Sequence, residues 1–138
     1  MIKYGRTSLG NIKTLDNRMY SVCHAAIAVM NRRKIGRPDF GISSGRRTAV
    51  QQNILWQQGR TVAGPIITYR DGYEIESTHQ SGMAVDFFAY VDGRADYDPG
   101  SLALIALCFA EGANALDLKW KWGGNFPSIF DGAHFECF

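Results

Sequence analysis

"STHQSGMAVDFFAY", residues 77–90, sets an aspartate inside a run of strand-forming residues, with a histidine seven positions ahead of it. Met83 to Tyr90 alternates weakly and is rich in β-formers, which predicts a central strand with Asp86 in its middle. A carboxylate in such a strand is costly unless a cation or a basic partner neutralises it. His79 stands just before the strand, and Ser81, Gly82 and Ala84 allow the backbone to approach closely and leave one side open.

The chain has three histidines, His24, His79 and His134. Catalytic zinc sites keep three protein ligands and one open position. His134 opens a terminal strand predicted over "HFECF", residues 134–138. If that strand neighbours the one bearing Asp86, a single metal ion can take His79, Asp86 and His134 together. The plainer alternative is an aspartate hydrogen-bonded to a histidine or paired with an arginine, without metal.

Outward from this stretch, "DNRMYSVCHAAIAVMNRRK", residues 16–34, spaces Met19, Val22, Cys23, Ala26, Ile27 and Met30 as an amphipathic helix. Asp16 or Asn17 opens it, basic residues close it, and Gly36 and Pro38 end it. "DFGISS" predicts a strand, "RTAVQQNILWQQ" a helix stopped by Gly59, and "PIITY" a short strand within a loop. Asp98 as cap and Pro99 in the first turn start a helix through "GSLALIALCFAEGANAL". "KWKW" predicts one more strand before a Gly-rich turn. Helices and strands mix without βαβ alternation, so the expected class is α+β with a largely antiparallel sheet.

With 138 residues, 46% of them hydrophobic, the chain is the size of one domain, residues 1–138, with a real core. Residues 1–20 lack an apolar run long enough for a signal peptide, and no stretch reaches a membrane span, which predicts a soluble cytosolic chain. Cys23, Cys108 and Cys137 form no C-x-x-C pair and are expected to be buried and free. Residues 1–70 carry twelve Lys/Arg against two Asp, and residues 71–138 three Lys/Arg against eleven Asp/Glu. Most of this is solvated surface; a basic face drawn to an anionic polymer is the functional reading.

Three blocks in order now gain weight together. "S-T-H-Q-S-G-M-A-V-D" resembles the S-x-H-x-x-G-x-A-x-D motif of the zinc D-alanyl-D-alanine carboxypeptidase and L-alanyl-D-glutamate endopeptidase family, which includes phage endolysins. "W-G-G-N-F-P-S-I-F-D-G-A-H-F-E" resembles its second motif, with an acidic residue three before the last histidine. "S-S-G-R-R-T-A-V-Q-Q-N-I-L-W-Q-Q-G-R-T" is similar to its arginine-bearing segment.

The resemblance implies a hedgehog/D-Ala-D-Ala-peptidase-like fold, with His79, Asp86 and His134 as zinc ligands and Asp131 as catalytic acid/base. It places Arg47 toward the substrate or the oxyanion, with Gln52 and Ser77 as supporting polar residues at the substrate. The carboxypeptidase branch usually has Glu where this chain has Asp131, and Asp fits the endolysin-like branch. Spacing alone also permits Glu136, on the same face as His134, as the base; otherwise it is a partner of that ligand.

The expected function is therefore a peptidoglycan-degrading zinc peptidase acting on stem peptides, an L-alanyl-D-glutamate endopeptidase of the endolysin kind. Such a protein waits as a monomer in the host cytoplasm for a holin. The alternatives are a D,D- or L,D-carboxypeptidase, or a silent zinc module that binds cell wall or a protein partner, as hedgehog domains do.

Other features are discounted. "GISSG", residues 41–45, matches a nucleophile elbow, but the chain is too short for an α/β-hydrolase sheet, and Ser43 reads as a strand end. "NRRK" and "GRRT" lack interleaved aromatics, so no nucleic-acid partner is expected. His24 reads as a packed helix histidine, and Asp92, Asp96 and Asp98 as caps and loop solvation rather than a calcium site. Trp120 and Trp122 fit either the core or a cleft rim.

Overall fold

The computed structural model describes residues 1–35 and 38–138. Helices α1 (Arg6–Ile12) and α2 (Asn17–Arg32) precede strand β1 (Asp39–Ser44) and helix α3 (Ala49–Gln57). After a long loop and a 3₁₀ turn at Thr78–Ser81 come β2 (Ala84–Val91), β3 (Arg94–Asp96), α4 (Pro99–Ala115), β4 (Trp120–Trp122) and β5 (His134–Cys137). A second 3₁₀ turn, Gly123–Asn125, follows β4.

The strands form one antiparallel sheet in the order β1-β2-β5-β4, with β3 also paired to β2. The α+β class and the antiparallel sheet thus match the expectation. Because side chains alternate along a strand, β2 sends Val85, Phe87 and Ala89, all fully buried, to one face and Asp86 to the other. β5 does the same, burying Phe135 and Cys137 on the first face and carrying His134 and Glu136 on the second.

The first face is covered by α4, on which α2 packs. Phe109 of α4 lies against Phe87 and Phe135, with centroids 5.3 Å apart in both pairs. Burying each such ring contributes about 2–3 kcal/mol. The helix starts agree with the sequence: the Asp16 carboxylate accepts from Arg18 N–H, and that of Asp98 from Ser101 N–H with Pro99 following. Gly36, expected to help end α2, lies outside the described residues. Trp120 stacks on Phe135 at 5.5 Å and Trp122 donates Nε1–H to the Gly132 carbonyl, so both tryptophans serve the core side. His24 sits between Tyr4 and Tyr20, and all three cysteines are buried and free.

Two elements were not expected and one expected element is absent. α1 has no side-chain cap and a glycine in its middle, yet its Ser8 hydroxyl accepts from Ile42 N–H and its Asn11 amide donates to the Ile42 carbonyl. Packing on β1, not local propensity, holds it. β3 is three residues long, joined to β2 by the positive-φ pair Asp92-Gly93.

The strand predicted at "PIITY" does not form. Gln58 donates to the Pro65 carbonyl, Arg60 to the Thr68 carbonyl and Gln52 to the Thr68 hydroxyl, so side chains of α3 and its end hold this segment in place of a strand ladder. Among the described residues, no helix is long and apolar enough to cross a membrane.

Candidate metal centre

Register brings the central pieces together. In the β2–β5 ladder Asp86 stands directly opposite His134, a position that places the two side chains as neighbours on the open face of the sheet. His79 arrives from the 3₁₀ turn just before β2. Ser77 caps that turn by accepting from His79 N–H, while the Gln80 side chain reaches back to Ser77 N–H. Gly82 ends it at φ 76°, and a Cβ there would meet Asp16 N at 2.6 Å, so glycine is needed for the turn to lie this close to the start of α2.

One ligand atom from each of His79, Asp86 and His134 lies within 4.8 Å of the others, so these three can hold a metal ion. Nε2 of His79 is 3.2 Å and Nδ1 of His134 3.3 Å from the same Asp86 Oδ1. Each ring is held from behind: His79 Nδ1–H donates to the Gly45 carbonyl at 2.9 Å, and His134 Nε2 pairs with Glu136 Oε1 at 2.9 Å. That arrangement aims one nitrogen of each imidazole at the common point, the orientation that outer partners give metal-binding histidines. The donor set of two imidazoles and one carboxylate suits zinc.

Electrostatics reinforce the cluster. Burial disfavours the Asp86 anion, but hydrogen bonds from His134 and His79 and the charges of His79 and Arg47 outweigh it and hold the carboxyl well below the usual range. Burial likewise disfavours the charged His134 ring, yet the hydrogen bonds and charges of Asp86 and Glu136 raise it to about 9. Glu136 is lowered, chiefly by its bond to His134, against the opposing effect of burial.

Arg47 donates from Nη2 to Asp86 Oδ2 at 2.7 Å and from Nη1 to Gln52 Oε1 at 3.0 Å. Gln52, 1% exposed, also donates to the Thr68 hydroxyl and the Arg70 carbonyl, which makes it a brace between Arg47 and the 65–70 segment. Asp131 lies on the loop before β5. Its backbone N–H donates to the Gly123 carbonyl at 3.0 Å, and its carbonyl accepts from His134 N–H at 3.1 Å. A Cβ on Gly123 would sit 2.0 Å from the Asp131 carbonyl oxygen, so only glycine lets the two loops touch here. Burial, with the Asp86 charge added, raises the Asp131 carboxyl despite opposing effects of His134, His79 and Arg47.

All the residues singled out in the sequence, His79, Asp86, His134, Asp131, Arg47, Gln52 and Ser77, line a single cleft of about 840 Å³. Glu136 lines it too, and its Oε2 accepts from the Thr78 hydroxyl at 3.3 Å. Sequence reasoning missed the Gly45 carbonyl, Gly123 as the seat of Asp131, and Phe126, whose ring lies 5.8 Å from that of His134.

A model of the D-alanyl-D-alanine carboxypeptidase family matches residues 70–137, the part of the chain that carries the whole His-Asp-His group and Asp131. The peptidoglycan L-alanyl-D-glutamate endopeptidase CwlK of Bacillus subtilis (strain 168) is 30% identical over 109 residues. The chain is similar to this peptidase family over that segment. The aligned part is 71% of this chain and 60% of CwlK, so the chain spans about three fifths of that relative.

Two solved structures share the chain's fold. The L-Ala D-Glu endopeptidase ChiX of Serratia marcescens superposes with a TM-score of 0.74 at 21% identity, over 99% of this chain and 90% of that one. The vancomycin-resistance D,D-pentapeptidase VanY from a VanB-type resistance cassette, in complex with Zn(II), gives a TM-score of 0.57 at 15% identity. That match covers 89% of this chain and 72% of VanY.

Proposed function

We propose that the chain is a zinc peptidase that hydrolyses peptidoglycan stem peptides between L-alanine and D-glutamate. The observation that carries this reading is the His79, Asp86 and His134 group, open to a cleft that also holds Asp131 and Arg47. The likeness to CwlK, itself an L-alanyl-D-glutamate endopeptidase, supports the choice of bond.

His79, Asp86 and His134 hold the zinc. The ion supplies Lewis acidity toward the scissile carbonyl and toward an attacking water. Asp131 takes a proton from the water and delivers it to the leaving amine, a role that fits a cleft-lining carboxyl with a raised pKa. Arg47 supplies positive charge to the developing oxyanion. Gln52 fixes the Arg47 guanidinium, and Ser77 fixes the turn that carries His79.

Within this reading the protein is a phage or prophage endolysin, monomeric and retained in the host cytoplasm until a holin opens the membrane. The basic first half supports it, being suited to an anionic wall. Digestion of purified peptidoglycan followed by mass spectrometry tests the bond: new amino-terminal D-glutamate is expected, and loss of terminal D-alanine instead would make the protein a carboxypeptidase. Lysis of expressing cells only when a holin is co-expressed tests the endolysin role.

Zinc uptake should be linked to protons. The metal-free His134 is raised to about 9, so at pH 7.5 the ring carries a proton that the metal must displace. Titration calorimetry in two buffers of different ionisation enthalpy should show release of about one proton or more at pH 7.5. The His134 contribution should fade as pH rises through about 9. Uptake with no proton release at pH 7.5 would contradict His134 as a ligand.

A further inference from the structure

Among the described residues the walls of the cleft carry two arginines, and only one of them is paired with a carboxylate. Arg47 donates to Asp86 at 2.7 Å and to Gln52 at 3.0 Å, which hold it beside the metal-binding group. Arg70 is exposed and lines the same cleft. Its one side-chain hydrogen bond among the described residues runs from Nη1 to the Glu76 carbonyl at 2.7 Å. No carboxylate among the described residues pairs with it. A guanidinium has five N–H donors, so most of its fork is left for a ligand.

Arg70 is also held in place. Gln52, which braces Arg47, donates to the Arg70 carbonyl at 2.9 Å, and the Thr68 hydroxyl accepts from Arg70 N–H at 3.1 Å. The Glu76 carbonyl that takes its Nη1–H belongs to the residue just before Ser77, three positions ahead of His79. The free guanidinium is therefore anchored against the segment that leads into the metal-binding turn.

We propose that Arg70 is a specificity-determining residue that pairs with a free α-carboxylate on the substrate residue at the amine side of the scissile bond. The proposal rests on the stem-peptide reading above. In that substrate D-glutamate continues through its γ-carboxyl, so its α-carboxyl stands beside the bond to be cut, either free or as the amide. A planar fork of donors matches a carboxylate bidentately and matches a carboxamide poorly, since the amide nitrogen has no lone pair to accept with. The enzyme thereby distinguishes cell walls whose D-glutamate is free from those in which it is amidated.

Two synthetic stem tetrapeptides that differ only in the D-glutamate α-carboxylate or α-carboxamide test this with the zinc-loaded protein. The native enzyme should show kcat/KM about 10-fold higher on the acid than on the amide. In Arg70→Gln that ratio should fall to within about threefold of unity, and Arg70→Lys should recover part of it, with zinc content unchanged in both. A native enzyme that does not prefer the acid, or an Arg70→Gln variant that keeps the native preference, overturns the proposal. Failure of the native enzyme to cut either peptide overturns the stem-peptide reading itself, and with it the role of Arg70.

Discussion

Replacing Asp131 by asparagine should lower kcat by roughly 10²- to 10⁴-fold, the range lost with a general acid/base, while one zinc per chain is retained. Asparagine has the same shape, and the contacts that seat this residue are made by its backbone, to the Gly123 carbonyl and from His134 N–H. The loop and the ligand geometry therefore survive, and what disappears is a group that can take and return a proton. Two carboxylates compete for that role, and their surroundings separate them. Glu136 is bound to His134 at 2.9 Å and to Thr78 at 3.3 Å, and the His134 bond lowers its pKa, so it is a committed and weak base. Asp131 has no side-chain hydrogen bond among the described residues, and burial raises its pKa toward the operating range. Steady-state rates on stem peptides with zinc measured by elemental analysis check the result. Near-native turnover in Asp131→Asn, with none in Glu136→Gln, would move the role to Glu136.

The site was legible in the sequence to the extent that chemistry restricts residue type. Few side chains bind zinc, so three histidines and an aspartate in a strand left a short list, but that His79, Asp86 and His134 act together came from the resemblance of the three blocks, and the pairing of β2 with β5 came only from the structure. The strand ends at Asp39, Ser44 and Cys137 could be read to within a residue or so from the short runs that carry them. Contacts made by backbone were not legible. Any residue has a carbonyl, so nothing in "SSGRR" says that Gly45 holds the His79 ring. α1 was hidden for a related reason: Ser8 and Asn11 stabilise it only because β1 lies alongside. "PIITY" misled in the opposite direction, since β-forming residues make a strand only where a ladder partner is available. For β3 a signal existed in Asp92-Gly93, a dipeptide suited to a two-residue hairpin turn, but three exposed or half-buried residues offer no pattern to confirm it.

Asp86→Ala should abolish stoichiometric zinc binding and, unlike Asp131→Asn, should also destabilise the protein when no metal is present. In the metal-free protein Asp86 is the sole anion that Arg47 touches among the described residues, at 2.7 Å, and it lies 3.2 and 3.3 Å from His79 and His134. Removing it leaves the Arg47 guanidinium, 19% exposed, beside two imidazoles with nothing between them. Breaking such a half-buried pair from one side costs about 2 kcal/mol, or about 6 °C in the melting midpoint of a domain this size. The hydrophobic face is untouched, because Val85 and Phe87 point the other way, so the variant should still fold. The loss has a pH signature. The Asp86 carboxyl is depressed in the folded state, so the stability it contributes is full well above its unfolded pKa, near 4, and is lost as pH falls through the lower folded value. Thermal melts in a chelator should show a wide gap between native protein and variant at pH 7 that narrows as the solution is made strongly acidic. Equal midpoints at pH 7 would mean that Arg47 and the histidines relax into solvent without cost, and stoichiometric zinc in Asp86→Ala would remove Asp86 from the ligand set.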